Sequence, residues 1–354
     1  MTWKYRFVAV TLACGLTVPL AADDSAGRFL AVVDQPASGE HALAASPTLT
    51  QPTIAGQWEN DSIINPSRTD RWYTNGMSLI VGAQLRDAES LVREIPFGEP
   101  FDGSRAAIGI SSGQLMFTPD DLDARQLIVD DRPYAGYLYG GVFMQRATDD
   151  VFDHMEIQLG VIGAGSLADD TQITIHDFFH AADPNGWKHQ LGEEIGGDVI
   201  FKRKVRAAEW DLGDQIVADL IPQFGFTLGT VHRQLGAGAT MRVGYKLPKD
   251  FGVGRIGDVA DITLGSLPDT YAYLFGHVGG NFVIHNAFLD GGQFTDGHSV
   301  TRKPIVGLAQ FGFAAQMNGW RVGYSVTVQS EEFEEQPEWH SWGSMFLSWT
   351  HYID

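Results

Sequence analysis

The sequence predicts an all-β fold, an antiparallel transmembrane β-barrel of about twelve strands with a short helix in an outward loop. Three observations predict it. Strict two-residue alternation of apolar and polar side chains, the period of an extended strand, recurs from Trp58 to near the C-terminus. The alternating runs reach roughly ten residues or more, the length a tilted strand needs to cross a bilayer. The N-terminus carries an export pattern: Lys4 and Arg6, an apolar run from Phe7 to Leu20, then Ala21-Ala22.

Residues 1–22 are accordingly expected to be a signal peptide, cut near Ala22. Thr11-Leu12-Ala13-Cys14 makes a poor lipoprotein signal, and no run of about 18 uninterrupted apolar residues follows Leu20. Residues 23–55, rich in Ala, Ser, Thr, Pro and Asp, read as a flexible leader. Residues 56–354 read as the barrel. Strands are expected at 56–64, 73–86, 105–117, 134–148, 152–164, 198–211, 217–230, 232–247, 270–284, 301–317, 320–330 and 341–352. The clearest sets Met155, Ile157, Leu159 and Val161 against His154, Glu156 and Gln158. Another sets Val322, Tyr324, Val326 and Val328 against Arg321, Ser325 and Thr327. Near the end, Met345, Leu347 and Trp349 oppose Ser344, Ser348 and Thr350.

Aromatic residues near strand ends, namely Trp72, Tyr73, Tyr137, Tyr139, Tyr271, Tyr273, Trp320, Trp342 and Trp349, suit interfacial girdles. Asn318-Gly319 is a tight-turn signal and falls on the periplasmic side. Segments 62–72, 119–133, 165–197, 285–300 and 331–340 then face outward. The turn near Thr230 and segment 248–268 fit this scheme less well. In the longest outward loop, Asp169 or Asp170 is placed to cap a short helix through Phe179, a second helical piece is expected to start near Trp187, and Gly196-Gly197 stops it.

Composition narrows the function classes. The formal net charge is −20, which excludes nucleic acid as a natural partner. Acidic outward loops suit divalent cations as well as plain solubility. Cys14 is the sole cysteine and lies in the expected signal peptide, so the exported chain holds no disulfide and no thiolate-bound metal.

Two dense polar motifs flank the outward loops. The first is Trp58-Glu59-Asn60-Asp61-Ser62 followed by Thr69-Asp70-Arg71-Trp72-Tyr73-Thr74-Asn75-Gly76. Asn60 and Thr74 meet across the first hairpin, and alternation places Thr74, Gly76 and Ser78 on the interior face. These residue types equally serve as turn chemistry. The second motif runs from Gln172 to His176 and on to Trp187 and Leu191. Gln172 and His176 are four apart and share a face if the stretch is helical. A histidine beside a carboxylate suits general-base work, although a loop histidine is more often a surface residue, and His180 and His189 compete. A zinc cluster of His176, His180 and Asp183 is conceivable from spacing, but no metalloprotease pattern surrounds it. There is no G-x-S-x-G elbow.

Together with Arg132-Pro133-Tyr134-Ala135-Gly136-Tyr137, these motifs resemble the lipid A 3′-O-deacylase (LpxR-like) family from about Trp58 to the C-terminus. The resemblance implies a twelve-stranded outer-membrane barrel, acting as a monomer on lipid A of lipopolysaccharide. It implies a calcium-dependent ester hydrolase that removes the 3′-linked acyloxyacyl group. It also implies a site between the barrel wall and a helix in an outward loop. The matching positions are Asn60, Asp61, Thr74, Gln172 and His176, with His176 as the base that activates water. Calcium would polarise the scissile carbonyl, with Asp61 as a ligand. The family's acidic position after the histidine falls at Ala182, and the neighbouring Asp183 takes that ligand place only after a one-residue slip. The chain also departs from the usual aromatic C-terminus, ending Tyr352-Ile353-Asp354. Competing readings are another outer-membrane lipase or phospholipase, a non-enzymatic barrel or pore, and a soluble exported β protein.

Overall fold

A computed structural model describes residues 48–64, 70–86, 104–181, 184–256, 259, 262 and 267–351. The expected signal peptide, most of the leader, Asp183 and the last three residues lie outside the described residues. Thirteen strand segments are present among those described: β1 Thr48–Asn60, β2 Trp72–Arg86, β3 Arg105–Thr118, β4 Ala135–Ala147, β5 Val151–Ile162, β6 Glu194–Val205, β7 Ala208–Gly213, β8 Ile216–Gly229, β9 His232–Tyr245, β10 Thr270–Asn286, β11 Ile305–Met317, β12 Trp320–Gln329 and β13 His340–Thr350. Every pairing is antiparallel and joins chain neighbours, except that β6 pairs with β8 and β1 with β13. The ring closes because β6 and β7 are two halves of one bent strand. Asp198–Lys204 of β6 pair with Gly229–Gln223 of β8, and β7 pairs with the start of the same β8. The result is a closed twelve-stranded barrel, as the sequence predicted. β1 begins at Thr48 rather than near 56. Its first residues read as a linker because Pro52 and a left-handed Gln51 interrupt the alternation at a bulge.

The barrel is inverted relative to a water-soluble protein. Leu79, Leu159 and Leu347 point outward and are 49%, 66% and 50% exposed, while Arg321, Thr327 and Ser348 point inward and are almost fully buried. Apolar side chains on the outer face of a closed sheet match hydrocarbon, and polar ones inside pair with each other. No described helix is long and apolar enough to cross a membrane.

The aromatic girdle is smaller than expected. Trp320 and Trp349 are cross-strand partners, face outward and lie 6.3 Å apart. Tyr73, Tyr137, Tyr139, Tyr271, Tyr273 and Trp342 are instead buried. Strand phase, not closeness to a strand end, decides which face a ring takes, and these rings fill the lumen. Trp72 is buried in a cluster with Leu289 and Phe333.

Short turns mark one end. Asp214-Gln215 and Asn318-Gly319 both adopt positive φ, the conformation that two-residue hairpins require. Residues 246–256, with Val259 and Ile262, lie at this end too and turn up into the lumen. Leu247 packs on Tyr271 and Tyr273, Phe251 on Phe152 and Ile221, Val253 on Ala55 and Phe346, and Ile262 on Ala107 and Phe143. The segment thus touches strands on both sides of the ring and plugs it. Fully buried Asp250 pins it, with Oδ1 2.5 Å from Arg242 and Oδ2 3.2 Å from Arg321. Asp219 holds Arg242 from its other side at 2.6 Å and also pairs with Arg206. Above the plug, a cavity of about 290 Å³ of mixed character is lined by Glu59, His154, Glu156, Asp198, Phe117 and Phe143 among others. Phe117 stacks at 4.5 Å on Phe288 of the four-residue helix Ala287–Asp290.

Candidate functional site

The long outward loop carries helix α1, Ala168–Phe179. Asp169 and Asp170 lie in its first turn, where carboxylates complement the helix dipole, but neither caps it; the cap position is a left-handed Leu167. One stripe, Ala168, Gln172 and His176, is buried at intervals of four, so the helix lays a single face on its neighbour. That neighbour is the outer surface of the barrel wall. Ala168 packs with Met116 of β3, Tyr134 and Trp187, and Met116 points away from the lumen because its neighbours Leu115 and Phe117 line the cavity.

The Arg132-to-Tyr137 motif builds the seat for this helix. A Cβ at Gly136 would overlap Ser166 Oγ and Ala168 Cβ, so only glycine lets the loop sit against β4. Gln114 of β3 donates to the Ser166 carbonyl at 2.7 Å. Tyr134 packs on Trp187 with ring centroids 4.9 Å apart. Burial pushes its phenol well above the ordinary range, so it stays protonated at neutral pH. Arg132 is fully buried, lies over Phe117 and bridges to Glu332 in the loop before β13 at 2.9 Å. Trp187, in a single 3-10 turn where the sequence suggested a second helical piece, donates its indole N–H to Gln172 Oε1 at 2.8 Å.

The first hairpin supplies the opposing wall. Asn60 ends β1 and stands opposite Asn75 in register. Its Nδ2 donates to Asn75 Oδ1 at 3.3 Å, and its Oδ1 caps the next turn by accepting from the Ser62 amide at 2.8 Å. Asp61 is 1% exposed and accepts the Arg71 amide at 3.0 Å. Asp70 and Trp72 both sit in the left-handed region, which folds the chain tightly about Arg71. That fold presents the Asp70 carboxylate to α1, where Oδ2 lies 3.2 Å from His176 Nε2.

Thr74 departs from the face that alternation assigned it. A register shift lies between Tyr73 and Asn75, making Thr74 the extra residue of a bulge. An inserted residue reverses phase. Gly76 and Ser78 stay inside, whereas Thr74 Oγ1 lies 2.7 Å from Thr118 Oγ1, next along the outward face from Met116. Thr118 in turn donates to the Asp70 carbonyl at 2.7 Å. Asn60, Asp61, Thr74, Gln172 and His176 therefore lie along one seam between the first hairpin and α1, outside the lumen. Asp70 and Thr118 join them. Asp70 stood in the quoted motif but was indistinguishable there from turn chemistry, and Thr118 carried no signal. Among the described residues no three His, Cys, Asp or Glu side chains converge as a metal group, His180 included.

The model of the outer membrane protein LpxR family matches residues 14–351. Among solved structures, LpxR from Salmonella typhimurium superposes with a TM-score of 0.69 at 19% identity, covering 85% of this chain and 100% of that one. The β domain of the Bordetella autotransporter BrkA gives a TM-score of 0.43 at 11% identity, covering 86% and 100%, too distant to carry an argument. No curated protein sequence matches the chain.

Proposed function

The chain belongs to the LpxR family of outer membrane proteins, and from that premise we propose that it is an ester hydrolase, acting as a monomer to remove the 3′-linked acyloxyacyl group of lipid A. The supporting observation is the Asp70–His176 pair between α1 and the outside of the barrel wall, with His176 buried and Asp70 half-buried. A carboxylate on Nε2 holds the imidazole with its hydrogen there, which makes Nδ1 the proton acceptor. Water then attacks the ester carbonyl carbon and gives its proton to His176 Nδ1. The bond from that carbon to the sugar oxygen breaks, and the same proton passes to the leaving oxygen. Asn60 and Thr74 orient the ester and water, and Gln172 fixes α1 against Trp187.

The donors present are carboxylate, amide, hydroxyl and backbone oxygens, without thiolate, and they suit a hard cation. Asp61 is the carboxylate proposed to hold calcium, with amide and carbonyl oxygens and water completing the set. Asp183 is the second proposed ligand, though it lies outside the described residues. When bound, calcium would supply Lewis-acid polarisation of the carbonyl.

The test is mass spectrometry of lipid A from cells expressing the wild type or His176→Ala. The wild type should shed the acyloxyacyl mass. The variant should not, while still running as a heat-modifiable barrel, and Asp61→Ala should behave likewise. Full activity in both variants refutes the assignment. Excess chelator should silence the wild type, and undiminished turnover would remove calcium from the scheme. Release from phospholipid instead of lipid A would favour a phospholipase.

A further inference from the structure

Two amide donors in the seam are buried and have no hydrogen-bond partner among the described residues: Asn75 Nδ2 and Gln172 Nε2. Both side chains are 2% exposed. Turning either amide over would not help. Gln172 Oε1 accepts from Trp187 and Asn75 Oδ1 accepts from Trp58 at 2.9 Å, and an indole N–H can only donate. The oxygens are therefore fixed by their partners, and the N–H groups are what remain.

The two donors share one neighbourhood. Asn75 stands opposite Met116 in register. Met116 packs with Ala168 and Trp187. Gln172 lies one helical turn beyond Ala168 and holds that same Trp187. Gly76 faces the lumen, so Asn75 beside it faces this outer side. A buried donor left without an acceptor is costly, and an arriving ligand that supplies one recovers that cost.

We propose that Asn75 and Gln172 donate hydrogen bonds to the carbonyl oxygen of the scissile ester as it gains negative charge. The inference rests on the ester-hydrolase reading and gives the protein its own share of oxyanion stabilisation, beside any cation. Asn75 is borne on a strand and Gln172 is clamped by an indole, so neither reorganises when charge develops. Donors of this kind act because they are already aimed.

Asn75→Asp and Gln172→Glu test it. Each keeps the oxygens that accept from Trp58, Asn60 or Trp187 and removes the unpaired donor. Asn75→Ala serves as a variant without added charge. The probes are a lipid A analogue with a tetrahedral phosphonate in place of the ester and a second with an ether there. Each single variant should lower kcat by about 10²–10³-fold with KM little changed. Phosphonate affinity should fall in step, ether affinity should hold, and the heat-modifiable mobility should persist. Equal losses on both probes, or no loss on the phosphonate, overturn the proposal. A wild type that fails to prefer phosphonate over ether refutes the hydrolase reading itself.

Discussion

Replacing Asp250 by Asn should loosen the plug without dismantling the barrel. Asp250 is fully buried and faces Arg242 at 2.5 Å and Arg321 at 3.2 Å, while its backbone carbonyl accepts from Arg206 at 2.7 Å and Arg242 at 3.0 Å. Its cluster sets three guanidinium groups against the carboxylates of Asp219 and Asp250. The substitution removes one of those two carboxylates. Breaking a buried pair costs about 3–5 kcal/mol. Because Arg242 keeps Asp219 at 2.6 Å, the lower end, about 3 kcal/mol, is expected. At about 1.4 kcal/mol per decade, that raises the population with the segment displaced roughly a hundredfold. The strands keep their pairing, so the loss concentrates on segment 246–269. A thiol introduced as Ile256→Cys reports it, since Ile256 is 8% exposed and its amide donates to Glu59 at 2.9 Å. A polymer-linked maleimide too bulky for the lumen should label this position about a hundred times faster in the Asp250→Asn background, with any signal from Cys14 subtracted using the parent chain. Equal labelling rates together with an unchanged unfolding midpoint would refute the view that the charge cluster holds the plug.

Asp70→Asn should preserve the barrel and lower the rate of acyl release by about 10²–10⁴-fold, since it removes the carboxylate that fixes the His176 tautomer. Steady-state kinetics will show the loss in kcat, and an unaltered pH–rate profile with full activity would contradict the pairing. The loop after β10 should respond to acid. Burial tends to push the Asp290 carboxyl up, but bonds from His285, the Asn286 amide and Arg302 outweigh it and hold it below the ordinary carboxylate range. A depressed carboxyl stabilises the folded loop above its unfolded value and loses that contribution as pH falls through its folded value. Hydrogen-exchange protection factors in residues 287–304 should therefore be flat near neutrality and fall only below about pH 4, and Asp290→Asn should erase the difference.

Much of this architecture was legible because it follows from periodicity. Leu159 and His154, or Leu347 and Ser348, alternate so strictly that their faces could be assigned without coordinates. Gln172 and His176 share a helix face for the same reason. The misreadings arise where a local event overrides period. One extra residue at Thr74 turned it from the lumen to the outer wall, and a bulge leaves no mark in side-chain type. The rings of Tyr137 and Tyr271 sit near strand ends, yet their phase sends them inward. Segment 246–269 resisted assignment because Leu247, Phe251, Val253 and Ile262 each meet a different part of the lumen wall, which imposes no repeat. Asp70 was hidden by its own versatility. An aspartate in a left-handed turn is ordinary, and only the packed helix shows what its carboxylate faces.

The seam that holds His176 lies against the outer wall of the cylinder rather than in its lumen. A molecule anchored in the surrounding leaflet can reach it by sliding sideways, with its hydrocarbon tails never leaving lipid. Encounter then becomes a two-dimensional search governed by how crowded and how fluid that leaflet is. The lumen, into which residues 246–256 fold, is not needed for that route.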